Sequence, residues 1–238
     1  MVSTCFLVVG ANRGIGYEFT RQLLQTPEHK VIATYRDPSS IEAFTALTAN
    51  RDNRGRLALV ELDMNDAEKC KSAADRVEKY LGKLNVLIVN AGKNGEKCPL
   101  LEENLDNVAD MFANNTLGPL RICQSFVPLL DDSKPLSKVV LISSEAGSIT
   151  VQKNLRSPAY GISKAALNMA GRKLSAELEP RKVSVALVHP GWVKTELGGA
   201  NAQITPEDSV AGMLEVIDKL DMTNSGEFWV YDGQNHPW

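Results

Sequence analysis

Thr4-Cys-Phe-Leu-Val-Val9 runs directly into Gly10-Ala-Asn-Arg-Gly14-Ile-Gly16, and a stretch with Phe19, Leu23 and Leu24 follows as far as Pro27. The first six residues are short, apolar and partly β-branched, which is the pattern of a buried strand. Phe19, Leu23 and Leu24 have the spacing of one helix face. The order is therefore strand, glycine turn, helix. In such a unit Gly10 permits a tight turn, Gly14 lets the backbone come close to a phosphate, and Gly16 lets the helix pack on the strand. The helix N-terminus then presents free N–H groups to an anion. The spacing is G-x-x-x-G-x-G, not the commoner G-x-G-x-x-G, and a plain βα turn would look the same in this stretch alone.

Working outward, the same alternation continues to the end of the chain. Strands are expected at Val31–Arg36, Arg56–Leu62, Asn85–Val89, Ser137–Ile142, Val183–Val188 and Gly226–Tyr231. Between them the spacing predicts helices over Ile41–Asn50, from Asp66 (Ala67, Ala74, Val77 and Leu81 inward), from about Glu103, and over Pro158 to Glu179. In the last of these Leu167, Ala170, Leu174 and Leu178 face the sheet. Ile122 to Leu130 is a further apolar stretch ending in Asp131-Asp132. Thr205 as N-cap and Pro206 at the first position open a final helix. Unbroken β-α alternation calls for a parallel, doubly wound sheet. No linker-like stretch interrupts it, so residues 1–238 are expected to form a single domain.

The bulk numbers narrow the function. The chain has 238 residues, 43% hydrophobic and 23% charged, an ordinary composition for a soluble globular protein. A net charge of −3 with no basic block argues against nucleic acid as the main partner. No apolar run approaches the ~20 residues of a membrane span. Met1 to Gly10 lacks the features of a signal peptide and reads as the first strand. Cys5, Cys70, Cys98 and Cys123 are scattered without metal spacing, so no metal site is expected and a reducing, cytoplasmic compartment is.

Several residues carry candidate chemistry. The second strand ends in Arg36, where a dinucleotide's adenosine ribose is usually met, and Arg13 sits in the glycine turn. Two guanidiniums fit a ribose 2′-phosphate, hence NADP(H); Asp37, directly after, argues the other way. Asn90-Ala91-Gly92 at the end of strand four leaves room for a cofactor. Asn114 and Asn115 are costly inside an apolar helix unless their amides find partners, and a kink is expected there. Strand five delivers Ser143-Ser144 to its C-terminal end, where ligands bind in such sheets. A serine hydrolase would need a G-x-S-x-G elbow, which is missing, and a histidine from His29, His189 and His236. His189, beside Pro190, reads as structural.

Tyr160 and Lys164 stand four apart and in a helix share one face; the pair alone reads more simply as an exposed helix face than as a site. A free phenol titrates near ~10, and acting near pH 7 asks for ~4 kcal/mol. One unit charge at ~4 Å with an effective dielectric of ~20 supplies about that much. Residues Glu196 to Thr205, rich in Gly and Ala, read as a mobile flap over the strand ends.

Taken in order, Gly10-x-x-x-Gly14-x-Gly16, Asp63, Asn90-Ala-Gly92, Asn115, Ser144, Tyr160-x-x-x-Lys164 and Pro190-Gly191 resemble the short-chain dehydrogenase/reductase family over essentially the whole chain. The run His189 to Thr195 and the ending Tyr231-Asp-Gly resemble the branch holding sniffer-type carbonyl reductases and the bacterial C-factor protein. The resemblance implies a Rossmann-type α/β fold: a seven-stranded parallel sheet with helices on both faces. It implies NADPH-dependent reduction of a small-molecule ketone or aldehyde. Tyr160 is then the proton donor, Lys164 lowers its pKa and holds the nicotinamide ribose, Ser144 binds the carbonyl oxygen, and Asn115 holds a water leading to solvent. Asn115 is preferred to Asn114 because Gly118 follows three later. The cofactor would lie along Gly10, Asn12, Arg13, Gly14, Ile15 and Gly16, with Arg36, Asp63, Met64, Asn90, Ala91 and Gly92. Tyr160, Lys164, Pro190, Gly191, Val193 and Thr195 would complete its site. A homodimer or homotetramer through two helices beside the sheet is the family habit. Two departures stand out. Val9 replaces the usual Thr, removing a turn-stabilising bond, and extra residues around 151–156 separate Ser144 from Tyr160. Trp192, Leu197 and residues 93–100 are expected to line the substrate pocket.

Overall fold

The computed structural model describes residues 3–131, 137–152 and 157–238. Of the expected features, Asp132 and the core of the 151–156 insertion (153–156) lie outside these residues. The strands are β1 (Thr4–Val9), β2 (His29–Tyr35), β3 (Leu57–Glu61), β4 (Val86–Val89), β5 (Ser137–Ile142), β6 (Val183–His189) and β7 (Glu227–Val230). They form one parallel sheet in the order β3-β2-β1-β4-β5-β6-β7. The helices are α1 (Gly14–Leu23), α2 (Thr45–Ala49), α3 (Ala67–Leu81), α4 (Leu105–Phe112), α5 (Gly118–Phe126), α6 (Pro158–Leu178) and α7 (Pro206–Lys219).

Strand alternation explains the layering. Successive side chains point to opposite faces, so β1 sends Phe6 and Val8 to one side and Leu7 and Val9 to the other. The first side is covered by Phe19 and Leu23 of α1, Leu47 of α2, and Val210, Met213 and Ile217 of α7. The second is covered by Cys70 and Val77 of α3, Ile122 and Phe126 of α5, and Leu167 and Leu178 of α6. Burying one such side chain contributes about 1.5–3 kcal/mol. An exposed ion pair such as Lys219–Glu215 gives about 0–1. The two apolar layers therefore hold the helices to the sheet.

Caps set the helix starts. The Asp66 carboxylate accepts the Lys69 N–H at 3.0 Å, and the Thr205 hydroxyl accepts the Asp208 N–H at 3.1 Å. Three local expectations are corrected. Ile41–Asn50 is not one helix: a 3₁₀ run, Pro38–Phe44, precedes the short α2, because Pro38 and the Asp37 cap start the turn early. Ala67 is exposed, and Cys70 and Ala73 share the inner face of α3 instead. On α6 the buried stripe passes through Gly171, whose missing Cβ would stand 2.7 Å from Leu187, so the helix lies closer to β6 than an Ala170 stripe would allow.

The sheet order reverses between β1 and β4. Connections from the two strands leave in opposite directions there and open a crevice at their C-terminal ends. The glycine turn and Asn90–Gly92 lie at that crevice.

Candidate active site

The turn after β1 is built around bare backbone. Gly10 has φ +76°, and a Cβ on it would stand 2.8 Å from the Ala91 Cβ. A Cβ on Gly16 would stand 2.0 Å from the Gly10 carbonyl oxygen and 2.7 Å from the Asn90 amide nitrogen. The Asn90 Nδ2 donates to that same carbonyl at 2.9 Å. Asn90 therefore holds the turn closed, a role its sequence position alone did not suggest. The bond expected to be missing at Val9 is replaced from another strand: the Gly10 N–H donates to Thr34 Oγ1 at 3.0 Å. Thr34 was not singled out in the sequence, since its partner is 24 residues away. Asn12 and Ile15 are half-buried within the turn.

The N-terminus of α1 is open to an anion. Its N-cap, Arg13, makes no side-chain cap bond, and its first turn carries no acidic residue. The opposite wall is Thr195, whose Cγ2 would lie 3.2 Å from a Cβ on Gly14. The bare turn, uncapped helix and close Thr195 wall fit a dinucleotide pyrophosphate.

At the far end of the crevice Arg36 is exposed. The Asp37 carboxylate caps the following turn: it accepts the Ser39 N–H at 2.9 Å, which, helped by the Arg36 charge, holds it below the usual carboxylate range. The Arg13 guanidinium pairs with Glu196 across the crevice, both side chains well exposed. Asp63 accepts the Asn65 N–H at 2.9 Å, and Met64 packs on Gly118.

Ser144, Tyr160, Lys164 and Asn115 converge beyond the end of β5. Ser144 caps a 3₁₀ turn, Glu145–Gly147, its hydroxyl accepting the Ala146 N–H at 3.2 Å, and the same hydroxyl favours the ionised form of the nearby Tyr160 phenol. Lys164 is buried, and its Nζ donates to the Ile142 carbonyl at 2.8 Å and lies 5.8 Å from the centre of the Tyr160 ring. Burial pushes the Tyr160 phenol up, with the Ser144 hydroxyl pulling the other way. Burial pushes the Lys164 ammonium down to about 8. The net direction at the phenol is upward and is set by desolvation. A Cβ on Gly92 would stand 3.3 Å from Asn115 Oδ1 and 3.7 Å from Lys164 Nζ, so the glycine keeps the space beside the lysine clear.

The expected kink at the asparagines is a π turn, Ala113–Leu117, between α4 and α5. Both amides find partners there. Asn114 Nδ2 donates to the Asp110 carbonyl at 2.9 Å, and its oxygen accepts from Asn65 at 2.8 Å. Asn115 accepts the Lys93 N–H at 2.8 Å and donates to the Lys93 carbonyl at 2.9 Å and to Ser163 Oγ at 3.1 Å. Asn115 therefore ties the segment after β4 to α6.

Beyond β6, Gly191 has φ +79° and would clash with Ile204 and Tyr231 if it carried a Cβ. The Pro190 carbonyl accepts the Ser209 hydroxyl at 2.6 Å. Val193 pairs with Ile204, and Thr195 Oγ1 accepts the Gly198 N–H at 3.0 Å. A cavity of about 310 Å³ lies beside the site, lined by Cys98, Leu100, Gly147, Ile149, Ser157 and Ile162 among others. It takes in the end of the expected 93–100 segment. Trp192 and Leu197 do not line it; both are part-exposed, and the Trp192 indole donates to the Gly198 carbonyl at 2.7 Å.

A parallel doubly wound sheet, an anion-ready glycine turn and a Ser-Tyr-Lys cluster at the strand ends define a dinucleotide-dependent oxidoreductase of the short-chain type. The family model described as short chain dehydrogenase matches residues 4–204, and the chain belongs to that family. It is similar to the C-signal protein of Myxococcus xanthus, 42% identical over 157 residues, which are 66% of this chain and 94% of that protein. Among solved structures it is similar to the NADPH-bound carbonyl reductase from chicken fatty liver, with a TM-score of 0.91, 33% identity and full coverage of both chains. It is also similar to the carbonyl reductase Sniffer of Drosophila melanogaster, with a TM-score of 0.92, 27% identity and full coverage of both. Among the described residues, no helix is long and apolar enough to cross a membrane.

Proposed function

We propose that this chain is an NADPH-dependent carbonyl reductase that converts a small ketone or aldehyde to its alcohol. The observation that carries the reading is the gathering of Ser144, Tyr160 and the buried Lys164 at the end of β5, with the lysine Nζ bonded to the Ile142 carbonyl and 5.8 Å from the centre of the Tyr160 ring. Two further facts support the cofactor. Arg36 is exposed at the adenosine end while Asp37 is spent on capping, and the similar chicken carbonyl reductase is an NADPH-bound structure.

When bound, the nicotinamide would supply the hydride. The chain's residues do the rest. Gly10 to Gly16 and the α1 N-terminus hold the pyrophosphate, with Arg13 and Arg36 at the 2′-phosphate and Asp63 and Met64 at the adenine. Asn90, Ala91 and Gly92 shape the crevice wall, and Pro190, Gly191, Val193 and Thr195 shape the nicotinamide side. Ser144 orients the carbonyl oxygen. Tyr160, kept protonated by burial, delivers its proton to that oxygen. Lys164 stabilises the phenolate left behind. Asn115, whose amide is bonded to Lys93 and Ser163, would hold the water that links Lys164 to solvent.

General acid catalysis is typically worth about 10²–10⁴-fold. Tyr160→Phe should therefore abolish most turnover in an NADPH-oxidation screen of aldehydes, ketones and quinones, with NADPH binding kept. Normal turnover in that variant sinks the mechanism. The similarity to the C-signal protein favours one other reading, a dinucleotide-binding signalling protein with little turnover. NADPH binding by the wild type with no reduction of any carbonyl would select it.

A further inference from the structure

After β7 the chain reverses and runs back along the sheet edge. The Val230 N–H donates to the Gln234 carbonyl at 2.8 Å, Trp229 pairs antiparallel with Asn235, and the His236 N–H donates to the Phe228 carbonyl at 2.6 Å. Covering an exposed strand edge is a sufficient reason for residues 234–236. It does not explain the next two. The Pro237 carbonyl accepts the Ser148 hydroxyl at 2.7 Å, and the Trp238 carbonyl accepts the Thr150 N–H at 2.7 Å. The Trp238 ring stacks on Phe228 with centroids 5.5 Å apart and lies 5.9 Å from the Arg172 guanidinium of α6.

Ser148 and Thr150 belong to the loop that leaves Ser144. On its inner side this loop is pressed on α6: a Cβ on Gly147 would stand 2.6 Å from the Lys164 carbonyl carbon, and the Gly147 carbonyl accepts from Asn168 at 3.2 Å. On its outer side it meets Pro237 and Trp238. The loop is thus held between the helix that carries Tyr160 and Lys164 and a segment anchored to β7.

We propose that Pro237 and Trp238 are positioning residues, which press the Ser144–Thr150 loop onto α6 and so fix the Ser144 hydroxyl relative to Tyr160. Their effect on rate rests on the carbonyl-reductase reading; their grip on the loop does not. Misplacing a reacting group by about 1 Å can cost up to about 10²-fold.

The test compares wild type, Trp238→Ala, Trp238→Phe and Ser148→Ala by amide hydrogen exchange and by steady-state kinetics. In Trp238→Ala, amides of residues 145–151 should exchange about tenfold faster, while β1 and β4 are unchanged. Its kcat should fall about tenfold, with KM and NADPH affinity within about threefold of wild type. Trp238→Phe, which keeps a stacking ring, should restore both readouts, and Ser148→Ala should shift both in the same direction as Trp238→Ala. Unchanged loop exchange in Trp238→Ala and Ser148→Ala overturns the proposal. So does faster exchange throughout the chain together with lost NADPH binding, which marks general destabilisation. If the wild type reduces no carbonyl, the carbonyl-reductase reading fails and with it the claimed effect on rate, while loop exchange still decides whether the segment holds the loop.

Discussion

The Lys164 ammonium donates to the carbonyl of Ile142 at 2.8 Å, so α6 is fastened by a buried charge to the last residue of β5. Ser143 and Ser144 follow directly. Ser143 is itself held on α6, donating to Asn168 Oδ1 at 2.6 Å. The proton donor's helix and the serine's strand thus share two buried polar contacts.

The lysine's burial makes a testable pH limb. Its folded value, about 8, lies below the ordinary 10.5, so the ammonium is lost as pH rises through about 8. Turnover should fall above that pH. The sign for stability is the reverse. The cost of burying the charge, about 3 kcal/mol, is fully present below about 8 and is relieved as pH climbs toward about 10.5. Lys164→Met should therefore lose at least about 10²-fold in kcat while its urea midpoint at neutral pH stays near wild type. A normal rate in that variant would remove Lys164 from the mechanism.

Cofactor choice should follow Arg36. Charge-assisted hydrogen bonds are worth about 1.5–3 kcal/mol, so Arg36→Asp should weaken NADPH by about tenfold to hundredfold and leave NADH nearly unchanged. An NAD-dependent alcohol dehydrogenase would show little change in preference. Glu196 offers a smaller, opposite effect. It pairs with Arg13 across the crevice, and exposed pairs give about 0–1 kcal/mol. Glu196→Gln should tighten NADPH by up to about fivefold. Fluorescence titration with both cofactors reads each arm.

The sheet was legible because each strand is a short apolar run and each glycine or cap lies next to the element it punctuates. The order Gly10, Asn90, Ser144, Tyr160 could be laid along one crevice for the same reason. What stayed hidden were contacts between distant segments. Nothing local to Thr34 says that its hydroxyl takes the Gly10 N–H, nor does Lys93 announce that its backbone will satisfy Asn115. Ser148 and Pro237 are 89 residues apart. The π turn at Ala113–Leu117 was visible only as a cost, two amides in an apolar helix, and not as a geometry. The net direction at Tyr160 also needed the structure, because desolvation depends on what surrounds the phenol and not on its spacing from Lys164.

Two glycines separate steric need from backbone strain. At Gly16 an added methyl would stand 2.0 Å from a main-chain oxygen, which cannot yield without opening the turn. Gly16→Ala should cost about 1–3 kcal/mol or more and abolish NADPH binding. Gly55 has φ +74°, and a Cβ added there would meet nothing within 4 Å among the described residues. Gly55→Ala should cost only about 1 kcal/mol of backbone strain and keep full affinity. Urea denaturation and NADPH titration of the pair decide it. Equal stability loss with binding intact in both would show that the turn tolerates a side chain.

His189, at the end of β6, is largely buried, and its Nδ1 has no hydrogen-bond partner among the described residues. Burial, helped by His236 with ring centroids 6.0 Å away and opposed by Asp232, pushes it down to about 4. The imidazole is therefore neutral at pH 7, and its 4.0 Å approach to Glu145 is not an ion pair there. In the unfolded chain the same group takes a proton near ~6.5. Between those two values the unfolded state binds more protons, so stability falls as pH drops from about 6.5 to about 4 and levels below that. The expected loss from this group is about 3 kcal/mol. Asp37 and Asp221, both held below the usual carboxylate range, contribute stability that is lost only at lower pH, as each falls through its folded value. The windows are therefore separable. In urea melts at pH about 7 and about 5, His189→Gln should flatten most of the wild-type decline. An equal decline in both proteins would place the acid sensitivity elsewhere.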